Sequence, residues 1–365
     1  MNHPQRILVR TAEQPAHIWI SRHRWMRMVL QTAWVLLALV WAALAQAATD
    51  TTSAGAQSTM DALRRAHAAV VGVRVQAADG ARSAATLGRQ RAGSGVVIGS
   101  DGLILTIGYL MLEAQTIEVV TQDKRVLPAK AVAYDLATGF GLIRPLLPLR
   151  GIAPVTLGSG AAMSVGDALM AATGGEDGEV SMTQLVSRRS FSGYWEYHIE
   201  AALFASPPID NHSGAPLFNQ RGELLGIGSL IVMDARGNNQ RLPGNMYVPV
   251  DLLKPILSEM QQTGMSRQSR RPWLGLTSSD QGGRVQVVRV NADSPAHSAG
   301  LQQGDLVLAV DGTSVNSLES FYKKLWDRPR PDAEVSLTIL QGAELRVIRV
   351  KAVDRMETLV KPGGI

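Results

Sequence analysis

From residue 70 onward, apolar positions recur in short runs with a period near two, each broken after a few residues by glycine, aspartate or asparagine. "VVGVRVQA", "GSGVVIGSDGLILT", "TIEVVTQDKRVLPAKAVAYD", "GFGLIRPL", "GEVSMTQLV", "YWEYHIEAALF", "GELLGIGSLIVM" and "NMYVPV" follow one another up to residue 250. Alternation of this kind turns one face to a core and the other to solvent. Many short strands with glycine turns therefore predict a mainly β unit, closed into two barrels. Helical spacing flanks this unit. A short helix is expected over 61–69, and "DLLKPILSEMQQTG" over 251–264 closes it. The basic, polar "MSRQSRRP" (265–272) reads as a solvated connector.

Past Trp273 the punctuation changes. In "NADSPAHSAGLQQGDLVLAVDG", Asp293 or Ser294 can cap a helix, Pro295 suits its first turn and Gly300 its end. "GDLVLAVDG" predicts a strand closed by a tight Asp-Gly turn. "LESFYKKLW" predicts a second short helix with Leu318, Phe321 or Tyr322, and Leu325 on one face. The expected division is therefore 61–264, a linker over 265–272, a second domain over 273–354 and a tail over 355–365.

The first residues carry different information. Arg22, Arg24 and Arg27 precede an apolar stretch that closes on Ala45, Gln46 and Ala47, the order of an export signal. Residues 1–47 are expected to be that signal, with 48–60 a flexible tether. The run free of polar residues, 33–45, falls short of the ~20 residues that span a bilayer. An uncleaved anchor over 28–45 is the alternative. The segment also accounts for the charge, since its five arginines against one glutamate supply +4 of the chain's +5. The pI near 9.6 is thus no sign of a nucleic-acid partner, and none is expected. With no cysteine, disulfides and thiolate–metal sites are excluded. No cofactor or metal is expected.

Residues 211–217, "NHSGAPL", have the form of a chymotrypsin-type nucleophile loop. A serine there needs a base to take its proton and a third group to orient that base. Together with "GSGVVIGSDGLILT", "YVPVDLLKPIL" and "SPAHSAGLQQGDLVLAVDG", the loop makes residues 66–354 resemble the HtrA/Deg family. That resemblance implies a trypsin-like double β-barrel followed by a PDZ domain, a β-sandwich with two short helices. It also implies a catalytic histidine directly after "DGLILT", where this chain has Tyr109. It implies a triad aspartate in "DLATGFGLI", where Asp135 is kept but Gly139 stands in the catalytic place. Ser213 alone occupies its expected position, with the amides of Asn211 and Ser213 as the oxyanion hole.

The loss of the base is visible without the family. No histidine occurs between Ala68 and Tyr197. A phenol with pKa near ~10 stays protonated at neutral pH and is a poor base for Ser213. His212 adjoins the serine, but neighbours in extended chain point apart. Lys124, Lys130 and Lys254 are chemically able to serve as a base, yet no spacing selects one. The expectation is an exported, proteolytically inactive protein of envelope quality control in the periplasm, or anchored to the inner membrane if the leader stays. The alternative is an active serine endopeptidase using an unrecognised base with Ser213.

The PDZ half keeps what binding requires. The resemblance implies that a peptide or protein C-terminus adds beside a sheet edge, its carboxylate held by the amides of Leu274, Gly275 and Leu276 in "WLGL". Leu318 and Tyr322 are expected on the opposite wall. A homo-oligomer, a trimer in the resembling family, or a hetero-assembly with active relatives is the implied assembly.

Overall fold

The protein is described by a computed structural model over Trp41 and residues 55–237 and 240–360. Apart from Trp41, the expected leader lies outside these residues. Helix α1 occupies 55–68, so the last residues of the expected tether are helical. Leu63 and Ala66 of α1 are buried in the barrel core, and this burial holds the helix in place. Among the described residues no helix is long and apolar enough to cross a membrane.

Two closed barrels follow. The first holds β1 (Val70–Ala77), β2 (Gln90–Val97), β3 (Ile104–Ile107), β4 (Ala114–Val120), β5 (Val126–Tyr134) and β6 (Phe140–Pro145), in the order β1-β2-β3-β6-β5-β4. The second holds β7 (Ala168–Ala172), β8 (Val180–Gly193), β9 (Tyr197–Ser206), β10 (Pro216–Phe218), β11 (Leu224–Val232) and β12 (Gly244–Pro249), in the order β10-β11-β12-β9-β8-β7. One continuous apolar core is drawn from both barrels. Two strands escape the sequence pattern. β7 reads "ALMAA", with no β-branched residue, and β10 is three residues at the end of the serine loop. A short helix α2 (Ala84–Leu87) interrupts the β1–β2 connection, and α3 (Leu257–Thr263) ends the unit on a left-handed Gly264.

The connector over 265–272 is solvated only in part, with Arg267, Gln268 and Arg270 exposed. Ser266 and Ser269 are fully buried, and both hydroxyls donate to Asp135 Oδ1. Asp135 is itself buried and also accepts from the amide and hydroxyl of Thr138 at Oδ2. A buried carboxylate must be satisfied by donors. Here the linker's serines supply them, which pins the linker to the first barrel.

The last domain contains β13 (Pro272–Trp273), β14 (Leu276–Gln281), β15 (Arg284–Val290), β16 (Leu306–Val310), β17 (Thr313–Ser314), β18 (Glu334–Gln341), β19 (Glu344–Lys351) and β20 (Val353–Asp354). Its sheet runs β14-β15-β16-β18-β19, with β17 on β16 and β13 paired to β20. Ser294 caps α4 (Pro295–Ser298), accepting from the His297 amide, and Pro295 opens its first turn. Asp311 and Gly312 form the left-handed turn after β16. A capping box of Ser317 and Ser320 starts α5 (Leu318–Trp326), and Leu318, Phe321, Tyr322 and Leu325 are all buried in a separate core. β14 ends the strand order, so one edge of it meets no strand of its own sheet.

Candidate functional site: a serine–tyrosine pair and a carboxylate loop

Tyr109 sits in a 3-10 turn (Gly108–Met111) directly after β3. The buried Arg91 secures this turn by donating to the carbonyls of Tyr109 and Leu112 at 3.1 and 2.8 Å. The turn aims the phenol across the inter-barrel cleft. Tyr109 Oη lies 2.7 Å from Ser213 Oγ and 2.9 Å from the carbonyl of Ser229. A carbonyl only accepts, so when Tyr109 serves Ser229 it is Ser213 that donates to the phenol oxygen. Burial pushes the Tyr109 phenol up to about 12, outweighing the contrary effect of the Ser213 hydrogen bond. Ser213 therefore faces a neutral hydroxyl in the place where an acyl-transfer site needs a base.

The orienting position is filled as well. Gly139 has φ +82, and a Cβ placed there would stand 3.0 Å from Tyr197 Oη. That hydroxyl donates to the Thr138 carbonyl at 2.8 Å. Tyr197 thus takes the space that a carboxylate at 139 would need. Asp135 is wholly engaged with Thr138 and the linker serines.

None of the substitute bases reaches the serine. His212 Nδ1 lies 2.9 Å from the Asp210 carbonyl and makes no hydrogen bond to Ser213. Lys124, Lys130 and Lys254 are exposed, and none of them bonds to Ser213. The serine loop is held on the first barrel by the Ser94 amide, which donates to the Ser213 carbonyl at 2.8 Å. Asn211, whose amide is expected in the oxyanion hole, is not among the described residues with a left-handed backbone.

The amides of Leu274, Gly275 and Leu276 do converge on one carboxylate, and it belongs to Glu196. Gly275 N and Leu276 N donate to Oε1, each at 2.9 Å, and Leu274 N donates to Oε2 at 3.2 Å. Gly275 has φ +84, and a Cβ on it would stand 2.3 Å from Ser294 Cβ, so only glycine closes this loop. Leu318 and Tyr322 lie on the buried face of α5. The Tyr322 hydroxyl donates to the Gly193 carbonyl at 2.8 Å and accepts from Glu196 N at 3.2 Å. Sequence reasoning missed Glu196, Tyr197 and Ser229. The one local trace of the first is a glutamate amid the aromatics of "YWEYH", flanked by strand-forming residues.

His198, Glu200 and Glu319 come together close by as ligand-type side chains. The cation among them is Lys323, whose Nζ is 2.9 Å from Glu200 Oε1 and 2.7 Å from Glu319 Oε1.

Residues 93–227 match the family "trypsin-like peptidase domain" and residues 272–352 the family "PDZ domain". The chain is 27% identical over 292 residues to a probable periplasmic serine endoprotease, DegP-like, of Halomonas elongata, covering 76% of this chain and 59% of that protein. Its Hahella chejuensis counterpart is 26% identical over 272 residues, covering 71% and 56%. The chain thus spans a little over half the length of these relatives. Among solved structures, the HtrA-type protease AlgW with tripeptide aligns at TM-score 0.51 and 21% identity, covering 83% of this chain and 98% of that one. The serine endoprotease from Yersinia pestis aligns at TM-score 0.51 and 22% identity, covering 81% and 97%. Fold and site together define a trypsin-like peptidase domain joined to a PDZ domain. In this arrangement the chain is similar to the DegP-like serine endoproteases, and its fold is that of the HtrA-type proteases.

Proposed function

We propose that this chain is a proteolytically inactive HtrA/Deg protein that binds peptide or protein C-termini through its PDZ loop, outside the cytoplasm, in envelope protein quality control. The observation that carries the inactive reading is the 2.7 Å contact between Tyr109 Oη and Ser213 Oγ, where a base would have to stand. Losing triad members costs on the order of 10⁴ to 10⁶ in rate and leaves only residual oxyanion and binding effects. The amides of Asn211 and Ser213 are where such an oxyanion would be held. The periplasmic location is supported by the names of the relatives and by the order of basic, apolar and small residues in the leader. Recovery of the mature chain from the envelope, with its N-terminus near Ala48, is the outcome expected of N-terminal sequencing.

The binding half of the proposal rests on three amides arranged to hold one carboxylate. Charge-assisted hydrogen bonds of this kind are about twice as strong as neutral ones. A fluorophosphonate probe tests the inactive half, because it labels only an activated serine. Labelling of Ser213 on folded protein at rates typical of serine proteases would replace this proposal with the active endopeptidase.

A further inference from the structure

A buried glutamate with a left-handed backbone requires a reason, since both features cost free energy. Glu196 has φ +57, and about nine-tenths of it is removed from solvent. Left-handed backbone brings the Cβ of a non-glycine residue too close to the neighbouring carbonyl oxygen. Glu196 stands at the tip of the β8–β9 hairpin, where Gly193 pairs with Tyr197 and residues 194–196 make the turn. What offsets the cost lies in the PDZ domain. The Glu196 carboxylate takes all three loop amides, as described above. Two residues earlier, the Tyr194 carbonyl accepts from Ser278 N at 2.8 Å, on the edge of β14 that no strand of its own sheet covers. Tyr322 of α5 holds the Gly193 carbonyl and the Glu196 amide. The tip thus makes the two kinds of contact that a bound C-terminus makes, a main-chain bond to a sheet edge and a carboxylate in a loop of amides. Behind it, Lys323 of α5 pairs with Glu200 of β9, and Ser190 Oγ of β8 donates to Glu319 Oε2 of α5 at 3.0 Å.

We infer that the β8–β9 tip is an internal ligand: Glu196 occupies the carboxylate loop, and an external C-terminus binds only by displacing it. The inference rests on the reading of the loop as a C-terminal carboxylate site and adds its regulation. A tethered competitor acts at a high effective concentration, so it lowers the apparent affinity of the external ligand by the fraction of open molecules. The ligand class follows from the donors and the open edge: a peptide with a free α-carboxylate, extended along β14.

The test uses the full chain and its Glu196→Ala and Glu196→Gln variants. Peptides are selected from a C-terminal library on Glu196→Ala, then titrated into all three proteins with free and amidated ends. The free peptide is expected to bind Glu196→Ala at least tenfold more tightly than the unaltered chain, with Glu196→Gln in between. Equal affinity for the unaltered chain and Glu196→Ala would overturn the internal ligand while leaving the C-terminal site standing. Equal binding of free and amidated peptide by Glu196→Ala would overturn the C-terminal site, and the inference with it. Hydrogen exchange on the unaltered chain gives a readout that needs no variant. Saturating peptide should speed exchange over 193–197 and leave 274–276 protected. Unchanged exchange over 193–197 would count against displacement.

Discussion

At the scale of single residues, the chemistry of the serine loop is decided by two hydroxyls and one glycine. Ser213 has a partner of the wrong kind, and the partner is held neutral far above physiological pH. Raising the pH from 6 to 10 should therefore leave fluorophosphonate labelling of Ser213 at background, because a phenol pushed up to about 12 releases its proton only beyond that window. Labelling that climbs within it would show Tyr109 acting as a base. Ser213→Ala removes one hydrogen bond and should shift stability by about 1 kcal/mol or less, with any cellular phenotype of the gene unchanged. Restoring the triad by substitution is obstructed at Gly139, whose Cβ would press on Tyr197 Oη from a left-handed backbone. The pair Tyr109→His and Gly139→Asp should thus stay inactive toward casein. It should also lose about 1–3 kcal/mol in denaturant unfolding, the usual cost of backbone strain of this kind.

At the scale of elements, two connections carry more than their sequences suggest. The linker serines and Thr138 converge on Asp135, so the linker is part of the barrel's hydrogen-bond network. Asp135→Ala leaves these buried donors unpaired and should destabilise by about 3 kcal/mol, as removal of one partner from a buried charged network does. Limited trypsin digestion should then cut first after Arg267 and Arg270, and an unchanged digestion pattern would argue against the pinning. The carboxylate loop depends just as closely on Gly275. Gly275→Ala forces a Cβ against Ser294, and its expected effect is loss of C-terminal peptide binding with a lowered melting temperature.

At the scale of the whole molecule, the junction of barrel and PDZ domain contains a titrating group. Burial raises Glu196 to about 7 against the opposing pull of the three amides, and the groups facing it are the Arg355 guanidinium and the Tyr322 phenol. His198, two residues on, is held below its usual pKa by burial and faces Glu200, Glu319 and Lys323. In a displaced tip Glu196 returns to an ordinary carboxylate value. The seated form therefore holds the extra proton, and its advantage is fully present below about 4.5 and lost as pH rises through about 7. Affinity for an external C-terminus should rise on the order of tenfold between pH 5 and pH 7. Fluorescence anisotropy on the unaltered chain and on Glu196→Gln checks this, since the variant should lose the dependence.

What the chain determined locally is most of the elements and the missing histidine. Alternating apolar runs and their glycine turns are enough for most of the barrel strands, because strand periodicity is a local property. The cap at Ser294 and the helix over 318–326 were legible for the same reason. The absence of a histidine from Ala68 to Tyr197 is likewise a fact of the sequence, and no folding restores one. The short β7 and β10 were not legible, since their pairing is imposed by neighbours rather than by propensity. Nor were the contacts between residues far apart in the chain. Tyr109 and Ser213 are 104 residues apart, Asp135 and Ser269 are 134 apart, and Glu196 is about 80 from the loop it fills. Hydrogen bonds of that span depend on how closed sheets bring their turns together. Only the tertiary structure decided that the carboxylate loop holds a carboxylate of its own chain.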